Sequence, residues 1–149
     1  AVSYRPVAGR SDAAIPAART FNGSVQSALV ADSETVAKHI GQPNVVVLDI
    51  RAIHRVLGET KYAQAGRAGA IPGSVSLPLG ALIMDNGALK SPEELLWMLK
   101  TRGITPDKSI ITTCDSGIGA SDAFFILRYL GFPDVRVHDE AWVVWSQTR

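Results

Sequence analysis

Two uninterrupted runs of apolar or β-branched residues constrain the fold of this chain most strongly. They span residues 45–49 (Val-Val-Val-Leu-Asp) and 109–113 (Ser-Ile-Ile-Thr-Thr), and each is followed by a loop and a helix-like segment. Such runs are typical of strands buried on both faces of a parallel sheet, whereas antiparallel strands usually alternate apolar and polar residues. Parallel neighbours need a long crossover connection, which the helix-like segments supply. The pattern therefore predicts an α/β fold.

Shorter segments complete the prediction of about five strands in a mainly parallel sheet with helices on both faces. The additional strands are predicted at residues 27–30, 74–77 and 135–138. Asp32 or Ser33 is predicted to cap a first helix, and Ser91 caps another that has proline at its first position and Glu94 in a capping box. A helix over 120–130 and a terminal helix that carries two tryptophans follow.

Length and composition favour one globular domain. The chain has 149 residues, of which 46% are hydrophobic and 19% charged, and its formal net charge of +1 gives no reason to expect nucleic acid or a membrane surface as a partner. Residues 1–23 are rich in Ala, Ser, Pro and Arg, and we interpret them as a linker or N-terminal arm before a folded domain at 24–149. A cytoplasmic location is expected, with the periplasm, after removal of a signal, as the alternative.

The single cysteine, Cys114, follows the second buried run directly, and Asp115-Ser116-Gly117-Ile118-Gly119 comes after it. A lone free cysteine is most often a small buried hydrophobe. Here, however, it is placed at the carboxyl end of a strand, where open α/β sheets bind their ligands. Main-chain amides that lead into a helix N-terminus form a cradle for an anion and favour the reactive thiolate. One cysteine and scattered histidines predict no metal site, and no cofactor is expected.

Several motifs, taken in order, resemble the rhodanese superfamily, and specifically the carboxyl-terminal catalytic domain of tandem thiosulfate and 3-mercaptopyruvate sulfurtransferases. The motifs are Leu48-Asp49-Ile50-Arg51, Gly69-Ala70-Ile71-Pro72-Gly73-Ser74, Ser91-Pro92-Glu93-Glu94-Leu95, the Cys114 loop, and Val137-His138-Asp139 followed by Trp142 and Trp145. The resemblance implies a rhodanese-like fold and sulfur transfer through a persulfide on Cys114. The donor would be 3-mercaptopyruvate or thiosulfate, and the acceptor cyanide or a thiol. A second rhodanese domain or chain is expected to cover the pocket.

The resemblance also implies roles for other residues. The loop Asp115, Ser116, Gly117, Ile118 and Gly119 would bind the persulfide or the substrate, with its amides forming a ring around the sulfur. Arg55 matches an arginine that binds the substrate carboxylate, and the alternative for this residue is an ion pair with an acid such as Glu59. Lys61 or Arg67 would take the place of a second arginine of the family.

Further expectations concern residues of this loop and its surroundings. Ser116 matches the 3-mercaptopyruvate pattern, whereas Asp115 matches neither pattern and its negative charge should disfavour thiosulfate. Arg51 is expected to be a structural ion-pair partner, and Asp49 to orient loop backbone. Trp142 is expected to be a packing residue, with a place in the pocket wall as the alternative.

Two other function classes stay open. Rhodanese-like domains also serve as non-catalytic or regulatory binding modules, although retention of the cysteine argues against that role here. Cysteine phosphatases and arsenate reductases of related architecture carry an arginine about six residues after the cysteine, because the transferring group needs a fixed cation. This chain has Ala120 at that position, which disfavours phosphatase activity.

Overall fold

One all-parallel sheet of five strands organises the described part of the molecule. The structure is a computed structural model that describes residues 23, 24 and 26–149. The spatial order of the strands is β1-β5-β4-β2-β3, and every neighbouring pair is parallel. The strands are β1 (Val30–Ala31), β2 (Val45–Asp49), β3 (Val75–Ser76), β4 (Ser109–Thr113) and β5 (Val135–His138). This arrangement confirms the predicted α/β fold.

Five α-helices and two 3₁₀ turns accompany these strands in the described residues. The helices are α1 (Ser33–His39), α2 (Ile53–Val56), α3 (Pro92–Lys100), α4 (Ile118–Tyr129) and α5 (Ala141–Thr148), and the 3₁₀ turns are Ser27–Leu29 and Leu79–Leu82. As predicted, Asp32 caps α1 by accepting from the Thr35 amide, and Ser91 caps α3 by accepting from the Glu94 amide. Within the described residues, no helix is long and apolar enough to cross a bilayer.

The two central strands, β2 and β4, send alternate side chains into two separate cores. On one face Leu48 and Ile110 pack against α3 and α4, and on the other face Val47 and Ile111 pack against α1 and α5. Burial on both faces explains why these strands are continuously apolar, since each fully buried aliphatic side chain contributes about 1.5–3 kcal/mol. The helices therefore cover both faces of the sheet, as expected.

Two local predictions need correction. Residues 27–29 form a 3₁₀ turn rather than a strand, so the edge strand contains only Val30 and Ala31. Helix α4 begins at Ile118, two residues earlier than predicted, because the chain turns sharply at Gly117, which has a φ of +92°. The linker predicted for residues 1–23 lies, except for Gly23, outside the described residues.

Candidate active site

The cysteine loop lies between the carboxyl end of β4 and the start of α4, and the amino end of α5 holds its backbone in place. The main-chain N–H of Trp142 donates to the carbonyl of Cys114 at 2.9 Å, and the N–H of Val143 donates to the carbonyl of Asp115 at 3.0 Å. Both donors belong to the first turn of α5, whose amides have no partner within the helix. The terminal helix therefore positions the loop, which the sequence analysis did not foresee.

The sulfur of Cys114 accepts a hydrogen bond from the main-chain N–H of Gly117 at 3.0 Å. Sequence analysis predicted a ring of amides from residues 115–119. Of these loop amides, that of Gly117 has the geometry of a hydrogen bond to Sγ in the structure. This contact gives the buried sulfur a main-chain donor at the turn that begins α4.

Gly117 combines two constraints that favour glycine. Its φ is +92°, a conformation that side chains with a Cβ rarely adopt, and a Cβ built there would lie 2.9 Å from the carbonyl oxygen of Asp139. The close approach brings the loop against the connection between β5 and α5. Gly117 is thus required both for the turn and for the position of the amide that reaches the sulfur.

Apolar residues form the base below the sulfur. Cys114 is only 6% exposed and belongs to the core on the α3–α4 side of the sheet. A Cβ on Gly119 would lie 3.0 Å from Cδ1 of Ile50 and 3.9 Å from Cδ2 of Leu79, so the loop packs closely against both side chains. In contrast, Ile118 is 79% exposed at the surface of the loop. The sulfur therefore has an apolar base and a main-chain donor on its loop side.

An apolar groove of about 330 Å³ borders this base. Leu79 lines the groove and also contacts the position of the Gly119 Cβ, which connects the groove with the cysteine loop. Most of its lining is aliphatic or aromatic, with one acidic residue at the edge. The lining residues are Leu79, Ile83, Leu89, Asp122, Phe125 and Ile126.

Two arginines lie beside Asp115, the residue that follows the cysteine. Nη1 of Arg51 is 3.7 Å from Oδ1 of Asp115, and Nε of Arg55 is 3.8 Å from Oδ2. Both contacts are ion pairs, but their N···O distances are longer than those of hydrogen bonds. Arg55 also stacks over the ring of Tyr62 at 5.2 Å. The acid that pairs with Arg55 in the described residues is therefore Asp115 and not Glu59.

Arg51 has a second and stronger partner. Its guanidinium donates to both carboxylate oxygens of Asp49, with Nη2 at 2.6 Å from Oδ2, and it also donates to the carbonyl of Gly69 at 3.0 Å. Asp49 is fully buried and Arg51 nearly so. The expectation that Arg51 is a structural ion-pair partner is confirmed, and Asp49 accepts from the Arg51 amide as well, which orients the loop backbone.

The structure places Lys61 and Arg67 in contact with other parts of the chain. Nζ of Lys61 donates to the carbonyl of Ala65, and Nη2 of Arg67 donates to the carbonyl of Arg149. The guanidinium of Arg67 lies 4.9 Å from the ring of Trp142. Among the described residues, neither side chain forms a hydrogen bond or ion pair with residues 114–119, whereas Arg55 and Asp115 are brought together.

Trp142 is a packing residue. It is 1% exposed and belongs to the core on the α1–α5 side of the sheet, with Arg51 and Arg67 stacked on its ring. Its indole N–H donates to the carbonyl of Arg67 at 3.1 Å. These contacts connect the long loop after β2 with α5, the helix that holds the cysteine loop.

A chain of buried polar contacts, which the sequence did not predict, runs behind the cysteine loop. The two ring nitrogens of His138 lie 3.0 Å from Oγ1 of Thr113 and 3.1 Å from Oγ of Ser33. The Ser33 amide in turn donates to a carboxylate oxygen of Glu140 at 2.8 Å. Burial lowers the pKa of His138 to about 4, although the nearby carboxylates of Glu140, Asp32 and Asp139 act in the opposite direction. The imidazole is therefore neutral at pH 7, so one ring nitrogen donates and the other accepts.

No sequence pattern predicts this chain of contacts, because Ser33 and His138 are separated by 105 residues. The local signal for these contacts is a polar residue, His138, at the end of the β-branched strand β5. Among the described residues, no group of three or more His, Cys, Asp or Glu side chains is arranged to hold a metal ion.

Comparison with known proteins identifies the family. Residues 32–148 match the family described as "Rhodanese-like domain". Because this match covers most of the chain, the protein belongs to the rhodanese-like family.

Individual relatives agree with this assignment. The chain is 40% identical over 121 residues to a "Probable 3-mercaptopyruvate sulfurtransferase" of Schizosaccharomyces pombe, a match that covers 76% of this chain and 40% of the relative. It is 36% identical over 107 residues to the "Sulfur carrier protein TtuD" of Thermus thermophilus, covering 67% of this chain and 38% of the relative. The chain thus spans less than half the length of these curated relatives.

A solved structure supports the fold. An anaerobic ergothioneine biosynthesis enzyme from Chlorobium limicola, in complex with trimethyl histidine, superposes with a TM-score of 0.75 at 22% identity. The superposition covers 80% of this chain and 30% of that protein.

Proposed function

We propose that this chain is a sulfurtransferase domain in which Cys114 carries a sulfane sulfur as a persulfide. The observation that supports it most directly is the hydrogen bond of 3.0 Å from the Gly117 amide to Sγ, at the turn between β4 and α4. The relatives named as sulfurtransferases and as a sulfur carrier support the same chemistry. A solitary cysteine in this environment has what a carrier needs, namely a main-chain donor to the sulfur and an apolar base that limits access of water.

The proposed reaction has two displacement steps. In the first step the Cys114 thiolate attacks the sulfur of the donor. With 3-mercaptopyruvate the carbon–sulfur bond breaks, and the carbon takes the electron pair and then a proton from water to give pyruvate. With thiosulfate the sulfur–sulfur bond breaks and sulfite leaves. In the second step cyanide or a thiol attacks the outer sulfur of the persulfide, and the electrons of the broken bond return to Cys114 as thiolate.

The loop residues have separate proposed roles. The Gly117 amide holds the charge on Cys114, a form of electrostatic stabilisation that uses a fixed dipole. Ser116 is exposed at the loop and has a hydroxyl that is free to contact the donor. Arg55 offers a guanidinium to the donor's carboxylate, as its contact with Asp115 places it beside this loop. Lys61 and Arg67 remain proposed donor-binding residues, although their side chains bond to the carbonyls of Ala65 and Arg149.

We also propose that a second rhodanese-like domain or chain covers the opening of the pocket at the cysteine loop. A folded domain at 24–149 is a further proposal. Exposure of Ile118 on the loop supports a covering partner, because an aliphatic side chain beside a reactive sulfur gains from burial. The cytoplasmic location stays a prediction.

Intact-mass analysis tests the persulfide directly. The purified chain is incubated with 3-mercaptopyruvate or thiosulfate, freed of donor, and measured without reductant. We expect an increase of about 32 Da, one sulfur atom, that disappears when cyanide is added and appears as thiocyanate. The Cys114→Ser protein should show neither the increase nor the transfer. Sulfur transfer that persists in this variant would refute the proposal.

A further inference from the structure

The charges around the cysteine loop nearly balance, because an acid of the loop occupies the guanidinium groups next to it. Asp115 approaches Arg51 at 3.7 Å and Arg55 at 3.8 Å. Arg51 is already paired with the buried Asp49. Arg55, in contrast, has Asp115 as its ion-pair partner among the described residues. Without Asp115, the loop would therefore face one arginine whose charge is uncompensated.

The contact between Asp115 and the arginines is incomplete. Oδ1 of Asp115 and Nη1 of Arg55 are both buried and have no hydrogen-bond partner among the described residues. Buried polar groups of this kind are normally satisfied, so each atom keeps unused hydrogen-bonding capacity, which a ligand reaches when the pair opens. Nη1 of Arg55 is a donor for an anion, but the Asp115 carboxylate next to it repels that anion and competes for the same guanidinium.

We propose that Asp115 is an internal counter-anion for Arg55 and that it sets the specificity of this site against small anionic donors, most strongly against dianions such as thiosulfate. An anion that binds at Arg55 has to displace Asp115 or tolerate its charge. A donor whose group next to Arg55 carries little negative charge is not repelled by Asp115 and does not have to displace it. This inference deepens the proposed function and rests on it for its biological meaning, but the binding it predicts is measurable without any sulfur transfer.

Anion binding to a protein that cannot turn over provides the test. All variants carry Cys114→Ser in the full chain, and the probe is thiosulfate, titrated by calorimetry at low ionic strength because salt screens such contacts. We expect Asp115→Asn to bind thiosulfate about tenfold more tightly than the Cys114→Ser parent, since it removes a charge but keeps the shape of the side chain. Glu59→Gln, which neutralises an exposed acid shortly after α2, the helix that contains Arg55, is the matched control and should leave the affinity unchanged.

A double-mutant cycle separates competition for Arg55 from general repulsion. If Asp115 acts by occupying Arg55, the gain from Asp115→Asn disappears when Arg55→Met is also present. A gain of equal size in the Arg55→Met background would overturn the proposal, as would an Asp115→Asn affinity within about twofold of the parent. Absence of binding to the Asp115→Asn protein up to about 20 mM thiosulfate would overturn it as well.

Two further measurements keep this result independent of folding and of the proposed function. Asp115→Ser replaces the acid by a smaller residue and should show the same gain if Asp115→Asn fails to fold. In proteins that retain Cys114, Asp115→Asn should lower the KM for thiosulfate. The rate of sulfur transfer from the persulfide to cyanide should change by a smaller factor. If Cys114 takes up no sulfur, the proposed function fails while the binding result stands. If sulfur is carried but binding does not change, only this inference fails.

Discussion

At the scale of single residues, the position of the Cys114 sulfur depends on one glycine. Gly117 donates to Sγ of Cys114, adopts a φ of +92° and leaves no room for a Cβ in front of the Asp139 carbonyl. These three features reinforce one another, since the turn that directs the amide toward the sulfur is the same turn that presses the loop against the start of α5. The loop geometry is therefore sensitive to the smallest possible side chain.

Gly117→Ala is expected to destabilise the protein and to impair the cysteine loop. The positive φ costs about 1–2 kcal/mol for alanine, and relief of the contact with Asp139 adds about 1–3 kcal/mol. Urea unfolding measures this loss, and the mass assay measures the fraction of Cys114 that takes up sulfur. Gly41→Ala is the control, because Gly41 also has a positive φ, +80°, but open space around its Cβ position. Equal losses in both variants would contradict the steric argument.

At the scale of secondary-structure elements, His138 joins three of them behind the cysteine loop. It contacts Thr113 at the end of β4, lies itself at the end of β5, and reaches Ser33 at the start of α1. Thr113 precedes Cys114 directly, so the imidazole fixes the strand from which the loop begins. The burial that makes these hydrogen bonds valuable also makes a charged imidazole unfavourable.

Stability should therefore decrease as the pH falls from about 6.5 to about 4. The pKa of His138 is about 4 in the folded protein against 6.5 for an ordinary histidine, so the unfolded chain binds the extra proton across this range and the folded state loses stability. The full effect is about 3 kcal/mol, because one pKa unit corresponds to about 1.4 kcal/mol.

The difference between variants isolates this effect from other titrating groups. Free energies of unfolding are measured in urea at several pH values for the original chain and for His138→Gln, whose pH dependence should be weaker by that amount. His39→Gln, a change on α1 outside the buried chain, serves as the control. A His138→Gln protein with the original pH dependence would show that another group causes it.

At the scale of the whole molecule, the buried pair of Asp49 and Arg51 connects parts that are distant in sequence. Asp49 ends β2, and Arg51 binds the Gly69 carbonyl at the far end of the long loop, stacks on Trp142 of α5 and approaches Asp115 of the cysteine loop. One guanidinium thus contacts four segments. Its removal leaves a buried carboxylate without its partner, which costs far more than loss of a surface pair.

Arg51→Met is expected to lower the free energy of unfolding by about 3–5 kcal/mol. Arg136→Met removes an arginine that pairs with Asp134 at 3.6 Å on the surface, and it should cost at most about 1 kcal/mol. Chemical denaturation of both variants measures the difference. Similar losses in the two proteins would show that the buried pair contributes no more than an exposed one.

A feature can be predicted from the sequence when the residues that determine it lie close together along the chain. The strands β2 and β4, the caps at Asp32 and Ser91 and the location of Cys114 after β4 could be predicted, because each depends on residues within a few positions of one another. The number of amides at the sulfur could not, since it depends on where the turn at Gly117 directs each N–H.

The sequence by itself determined the layered parallel sheet and the location of Cys114 at the end of its central strand, since continuous apolar runs and capping residues act locally. Only the tertiary structure decided which partners surround that position. Arg55 pairs with Asp115 across 60 residues, and Ser33 meets His138 across 105. Contacts of this kind form when the sheet brings strand ends together, and no local pattern specifies which charged or polar side chains then meet.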